Sequence, residues 1–281
     1  MKRTEYRRTT FNMSSNRKLW NTLGGFDALM QYVDAACISY EEKQKMSGLS
    51  FEKFLESEKG KMSHPISSLL FGNPREKLHD LYLVYPHSCL DVFIDDFVDD
   101  MRTLGFSDFR LADTNNVSRL ERLITSLHRI GINPNLYDFS MPIYTYYRYL
   151  RNGLNHDAGN KGDAKLSNSF KTVSAFKDDI DARYNYLNAL KEMANLNFGD
   201  YVLCTANIKN IADLIVLSIE SHINWDNFYL SVGNYPAIKK INNFVRDRQI
   251  SYVKNVIWNT YSIQLSDDMC GIIVDNTITN F

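Results

Sequence analysis

The sequence has few cysteines, a net charge near zero and no long apolar run, and each absence argues against a class of protein. Its four cysteines form no CxxC pair, and none lies near a histidine at metal-ligand spacing. This usage argues against a structural zinc site and against a disulfide framework. The formal net charge is −1, so any contact with nucleic acid must come from local basic patches.

Signals for export and for several enzyme classes are also missing. The first twenty residues contain no apolar segment of the kind found in signal peptides. The chain contains no window of about 18 uninterrupted apolar residues, so no membrane span is predicted. We therefore expect a cytoplasmic protein with no membrane contact. The sequence contains no HExxH, no GxSxG and no GxxxxGK motif, which leaves zinc proteases, serine hydrolases and P-loop NTPases without local support.

The residues that are present predict a mainly α-helical fold with at most a few short strands. Apolar residues make up 44% of the chain and recur at helical spacing; a clear example is the stripe Val117, Leu120, Ile124, Leu127 and Ile130. A long helix is also predicted over 177–196, whereas the tail at 270–281 has the composition of a strand. We predict four consecutive segments: a basic arm (1–18), an N-terminal helical region (19–110), a helical core (111–225), and a C-terminal helical extension with a tail (226–281).

The stretch YYRYLRNGLNHDAG, residues 146–159, combines polar chemistry with an apolar background. At about 100° per residue, one face carries an apolar stripe formed by Ile143, Tyr147, Leu150 and Leu154. Arg148, Asn152 and His156 form a row on the opposite side, and Arg151 and Asn155 form a second row beside it. The polar face can be solvated, can pair with carboxylates of a neighbouring helix, or can line a cleft.

The residue types on this face suit the metal-independent cleavage of RNA. The unperturbed pKa of histidine lies nearest to neutrality, so His156 can give or take protons. Arginine stays cationic and binds phosphate in a bidentate manner, so Arg151 can stabilise the charge that develops on a phosphate. Asn152 can orient the histidine ring or hold a phosphate oxygen.

The stretch RNGLNH, Arg151 to His156, resembles the R-x4-6-H motif of the HEPN superfamily, in which the position after the arginine is typically Asn, Asp or His. The resemblance implies a small helical bundle over about 115–225 and the motif roles for Arg151, Asn152 and His156. Many HEPN proteins are homodimeric, metal-independent endoribonucleases of toxin–antitoxin, antiphage and CRISPR-linked systems, with a composite site at the dimer interface. Others are catalytically silent, so the alternative that the resemblance implies is a module that binds RNA or a partner protein without cleaving RNA. The implied partners are RNA, a second copy and a regulatory or antitoxin protein, with no cofactor and no metal.

Two other groups of residues offer further hypotheses. Arg148 and Asn155 beside the motif, and Arg119 and Arg122 on the polar side of the 117–130 helix, are candidate RNA contacts. The acidic stretch DDFVDD, residues 95–100, contains the DDxxD pattern with which isoprenoid synthases bind Mg²⁺ and diphosphate. A second metal motif is missing from the later helices, so a solvated acidic face is the simpler interpretation of this stretch.

Overall fold

The computed structural model describes residues 11–61, 75, 78, 82–156, 164–185, 189–191, 196–224, 228, 238 and 244–279. The side chains of residues 61, 154–156, 278 and 279 lie outside this description. Ten α-helices and no strand occur in the described part of the chain, so the predicted mainly-α class is confirmed. The helices are α1 (Ser14–Ser47), α2 (Phe51–Glu58), α3 (Val84–Thr103), α4 (Arg119–Arg129), α5 (Ser140–His156), α6 (Ala164–Ser174), α7 (Lys177–Tyr184), α8 (Phe198–Ile219), α9 (Arg246–Tyr261) and α10 (Asp267–Thr279).

The helices form two compact units, each assembled from separate stretches of the chain. The first unit comprises residues 1–21, 89–137 and 209–281, and the second comprises 22–88 and 138–208. The predicted segments, in contrast, are consecutive, and their boundaries stay predictions. The candidate stretch on α5 belongs to the second unit, where α5 packs against α6 and the Tyr146 and Phe170 rings lie 5.4 Å apart.

Two helices, α3 and α4, are followed by a glycine, and α4 also begins with a capping box. Gly105 and Gly131 follow α3 and α4 with φ of 99° and 82°, a backbone conformation that strains other residues. At the start of α4, Ser118 accepts a hydrogen bond from the Glu121 N–H, while the Glu121 carboxylate accepts one from the Ser118 N–H. This reciprocal arrangement satisfies two amide groups that the helix itself leaves without partners.

The predicted core stripe of α4 is only partly correct. Leu120 and Leu127 are fully buried, but Val117 and Ile130 are both exposed at the helix ends, and Ile124 is half-buried. Leu123 takes the inner position instead, at 0% exposure. The buried face therefore consists of Leu120 and the residues three and seven positions after it. The apolar pattern alone is equally compatible with burial of Ile124, four positions after Leu120.

The strand-like tail prediction is wrong, because residues 267–279 form helix α10. Its isoleucine, valine and threonine favour strands by composition. However, Cys270, Ile273, Val274 and Thr277 recur at helical spacing and are all buried, and α10 packs against α9. Burial of one helical face has overridden the local propensity.

Two further boundaries differ from the predictions. The helix expected over 177–196 ends at Tyr184, where Asn185 adopts a left-handed conformation with φ of 58°. Helix α1 begins at Ser14, inside the segment predicted as a basic arm over 1–18, and includes Arg17 and Lys18. Asp100 accepts a hydrogen bond from the Ser15 N–H at 2.8 Å, placing a negative charge at the N-terminus of α1, where the helix dipole favours it.

The apolar stretch after residue 210 forms part of helix α8. Ile211, Ala212, Ile215, Val216 and Ile219 are all buried. The segment Phe198–His222 is long and apolar enough to cross a membrane by length and composition, but 61% of its most apolar window is buried inside the structure. This burial is what the core helix of a soluble protein shows, and the structure is compatible with a soluble protein.

Two adjacent glycines lie inside α1, and replacing them by alanine is expected to stabilise the protein. Gly24 and Gly25 have helical geometry, and a Cβ atom built on either meets nothing within 4 Å. Gly24→Ala and Gly25→Ala should each raise the free energy of unfolding by about 0.5 to 1 kcal/mol, because glycine is the more flexible residue in the unfolded chain.

Urea denaturation measures this gain, and Gly105→Ala is the matched control. The positive φ of Gly105 makes the same substitution destabilising there. A loss of stability in Gly24→Ala would contradict the continuous α1 helix.

Candidate functional site

The apolar face of α5 anchors the candidate stretch in the core of the second unit. Ile143, Tyr147 and Leu150 are all fully buried, as their spacing predicts, while the Leu154 side chain lies outside the described part. Tyr144 and Tyr146 are buried as well, so the buried face is wider than the predicted stripe. Arg148, the first residue of the polar row, therefore lies next to buried residues of the helix.

Arg151 and Asn152, the first two motif residues, are in direct contact and are half-buried. The Nε and Nη2 atoms of Arg151 both donate hydrogen bonds to Oδ1 of Asn152, at 3.3 and 3.1 Å. The helix ends at His156, but the side chains of Asn155 and His156 lie outside the described part of the chain. The structure thus brings together two of the three motif residues and leaves the position of the third side chain a prediction.

Arg148 lies one turn before Asn152 and is held by aromatic rings. Its guanidinium carbon is 5.9 Å from the centre of the Tyr144 ring and 5.1 Å from that of Tyr149. Its Nε atom is buried and has no hydrogen-bond partner among the described residues. Aromatic rings attract a cation without cancelling its charge, so the positive charge of Arg148 stays available to an anion.

Arg148 and Arg151 differ from several other arginines of the chain in lacking a carboxylate. Within the described ranges, neither contacts an aspartate or a glutamate, whereas Arg75, Arg102, Arg119 and Arg246 each form an ion pair with an aspartate. The last turns of α5 therefore carry two cations that no described side chain neutralises.

A buried histidine, His87 of α3, lies close to these arginines and was not singled out from the sequence. It is 3% exposed, and its ring lies 5.5 Å from the Tyr144 ring. Burial, together with the nearby Arg151 and Arg148 cations, lowers the pKa of His87 to about 3. His87 is therefore neutral at physiological pH and cannot serve there as an acid.

The thiol of Cys204 lies 3.9 Å from Nε2 of His87, but the pair is not an activated nucleophile. Burial raises the pKa of the Cys204 thiol, and the carboxylate of Asp200 raises it further. A reactive cysteine needs a lowered pKa, so the contact is structural. The sequence did contain a signal for the burial of His87. This histidine falls at helical spacing with the apolar residues Leu83, Leu90 and Ile94, a position that is typical of a core residue.

A second buried network joins α5 to the N-terminus of α8. Asp200 accepts hydrogen bonds from the Tyr147 hydroxyl at 2.9 Å and from the N–H groups of Lys191 and Asn197 at 3.1 Å each. The Tyr146 hydroxyl donates to the carbonyl of Lys191. Burial raises the pKa of Asp200, although these hydrogen bonds act in the opposite direction. Through Asp200 and Tyr146, the network holds the backbone of Lys191 beside α5.

Arg119 and Arg122, the other predicted RNA contacts, belong to the first unit and are engaged there. Arg119 pairs with Asp95 and lies 4.0 Å from Asp91. The Nε atom of Arg122 donates a hydrogen bond to the Ala112 carbonyl at 2.6 Å. Neither arginine shares a unit with the α5 motif, so the structure does not assemble the predicted RNA-binding set within one unit.

The carboxylates of the DDFVDD stretch take part in contacts within the first unit. Asp95 and Asp99 pair with Arg119 and Arg102, Asp96 pairs with Lys18, and Asp100 caps α1. Among the described residues, no group of three or more His, Cys, Asp or Glu side chains is placed to hold a metal ion. These contacts give the acidic stretch a structural role.

Comparison with protein-family models, with curated proteins and with solved structures finds no match to this chain. The predicted resemblance to HEPN proteins therefore stays a prediction from the sequence motif.

Proposed function

We propose that the chain is a metal-independent endoribonuclease of HEPN type, with Arg151, Asn152 and His156 as its catalytic residues. The observation that supports the proposal best is the pair of half-buried arginines, Arg148 and Arg151, which no described carboxylate neutralises. A phosphodiester supplies the negative charge that such a pair binds. The Arg151–Asn152 contact also gives the first two motif residues a common orientation.

The proposed reaction is attack by the 2′-hydroxyl of RNA on the adjacent phosphate. His156 takes the proton of the 2′-hydroxyl, the new 2′-O–P bond forms, and the bond between phosphorus and the 5′-oxygen breaks. The 5′-oxygen takes a proton from solvent as it leaves, and His156 returns its own proton to solvent, so the products are a 2′,3′-cyclic phosphate and a 5′-hydroxyl. Arg151 stabilises the charge on the phosphate as it develops, and Asn152 fixes the arginine through the observed hydrogen bonds.

The wider proposal follows the same resemblance. Two copies of the chain form a homodimer in the cytoplasm and place two motifs in one composite cleft. The enzyme acts as a toxin-like or antiphage effector, and a regulatory or antitoxin protein controls it. Sedimentation analysis of the purified protein tests the dimer, since a monomer at micromolar concentration contradicts the composite cleft.

RNA cleavage in EDTA tests the activity. Wild-type protein should cleave and leave cyclic phosphate ends, and His156→Ala and Arg151→Ala should each lower the rate by about 100-fold or more, since one acid–base group contributes on this scale. His128→Gln and Arg129→Ala are matched controls, because both side chains are exposed on α4. Cleavage that neither His156→Ala nor Arg151→Ala diminishes would contradict the assignment.

A catalytically silent RNA-binding module is the second candidate, and the same two arginines support it. Neither their charge nor their burial requires that His156 act on the substrate. Binding of RNA by the wild type, without cleavage under any of the conditions above, would favour this candidate. The Mg²⁺-dependent isoprenoid hypothesis receives no comparable support, because the carboxylates on which it depends are paired with cations.

A further inference from the structure

One tyrosine beside the motif differs from its neighbours in remaining partly accessible. Tyr144, Tyr146 and Tyr147 are all buried, whereas Tyr149 is only half-buried. The guanidinium carbon of Arg148 lies 5.1 Å from the centre of the Tyr149 ring and 5.9 Å from that of the buried Tyr144 ring. The Arg148 cation thus lies near one buried ring and one half-buried ring.

This arrangement fixes a cation next to an aromatic surface without neutralising the charge. A carboxylate partner would orient Arg148 equally well but would cancel its charge for any incoming phosphate. The buried Nε atom limits the movement of the side chain further. An arginine and an aromatic ring in contact are also the two groups on which unpaired nucleic-acid bases stack.

We propose that Arg148 and Tyr149 form a nucleotide subsite for single-stranded RNA, in which the guanidinium binds a phosphate and the Tyr149 ring stacks on an unpaired base. The inference rests on the proposed function for the nature of the polymer. In a duplex, neighbouring bases cover both faces of every base, so only unpaired nucleotides can use the ring. Every base has a stacking face, so the subsite selects strandedness rather than sequence.

The test measures binding separately from cleavage, in full-length protein that carries His156→Ala. Fluorescence anisotropy compares a labelled, unstructured 12-nucleotide RNA with a 12-base-pair RNA duplex. We expect preference for the single strand, and Tyr149→Leu should weaken its binding about 10-fold or more, which corresponds to the loss of one stacked base. Tyr149→Phe should bind as the parent protein does, because it keeps the ring.

Two further variants separate stacking from charge and from general surface effects. Arg148→Ala should weaken binding of both RNAs and lower the salt slope of single-strand binding by about 0.7, the value for one phosphate contact. Tyr32→Leu is the matched control, because Tyr32 is a 75% exposed tyrosine on α1 of the same unit, and it should leave binding unchanged. Circular dichroism and thermal melting confirm that each variant is folded.

The outcomes distinguish this proposal from the proposed activity. Equal single-strand binding by Tyr149→Leu and the parent, or equal affinity for duplex and single strand, overturns the subsite even if wild-type protein cleaves RNA. Loss of single-strand binding in Tyr149→Leu supports the subsite even if no cleavage is found in the EDTA assay. An absence of binding to either RNA overturns it as well.

Discussion

Acidification from pH 6.5 to 3 is expected to lower the free energy of unfolding by about 4 to 5 kcal/mol through His87 alone. The unfolded chain binds a proton at this histidine below pH 6.5, whereas burial and the Arg151 and Arg148 cations lower the pKa of His87 to about 3 in the folded protein. Between these values the unfolded state binds more protons, so stability decreases as the pH falls. Above about pH 7 this group makes no contribution to the pH dependence.

Urea denaturation at a series of pH values measures the effect as a slope. The His87 contribution approaches 1.4 kcal/mol per pH unit in the middle of the window, and His87→Gln should remove it. His128→Gln is the control, because this exposed histidine lies on α4 and its replacement should preserve the wild-type slope. An unchanged slope in His87→Gln would contradict the neutral, buried state of the ring.

Asp200→Ala is expected to destabilise the protein by about 3 to 5 kcal/mol, the range for breaking a buried charged network. Asp200 is 1% exposed and accepts hydrogen bonds from the Tyr147 hydroxyl and from two backbone N–H groups. Its removal leaves the buried Tyr147 hydroxyl and two partly buried N–H groups without this acceptor. Tyr147→Phe removes only one of these donors and should cost about 2 kcal/mol.

Thermal and urea denaturation of these variants test the network directly. Asp108→Ala serves as the control, because Asp108 is an exposed aspartate in the turn after α3; its loss should change stability by less than about 0.5 kcal/mol. A cost for Asp200→Ala no larger than that of Asp108→Ala would mean that the carboxylate is not the acceptor of these hydrogen bonds.

The helical class and the buried face of α5 could be predicted from the sequence because both depend on local spacing. Ile143, Tyr147 and Leu150 recur at the helical period and are buried together. Gly105 and Gly131 end their helices because each adopts the positive φ that glycine tolerates. In each case neighbouring residues along the chain carry the whole signal.

The features that escaped prediction depend on partners distant in the chain. His87 is buried near Cys204 and Tyr144, which lie 117 and 57 positions away, so its helical spacing with apolar residues could indicate burial but not these contacts. The tail was assigned by composition, but the packing of α10 on α9 decided its conformation.

The glycine pair in α1 also has a consequence for the exchange of backbone amide hydrogens. A helix of 34 residues is about 51 Å long, and its hydrogen bonds open most readily where the backbone is most flexible. Gly24 and Gly25 lie just beyond position 21, where α1 passes from the first unit to the second. Amide hydrogens around the pair should exchange with deuterium before those in the two flanking parts of α1, which would make the pair an interior site of local opening in this helix.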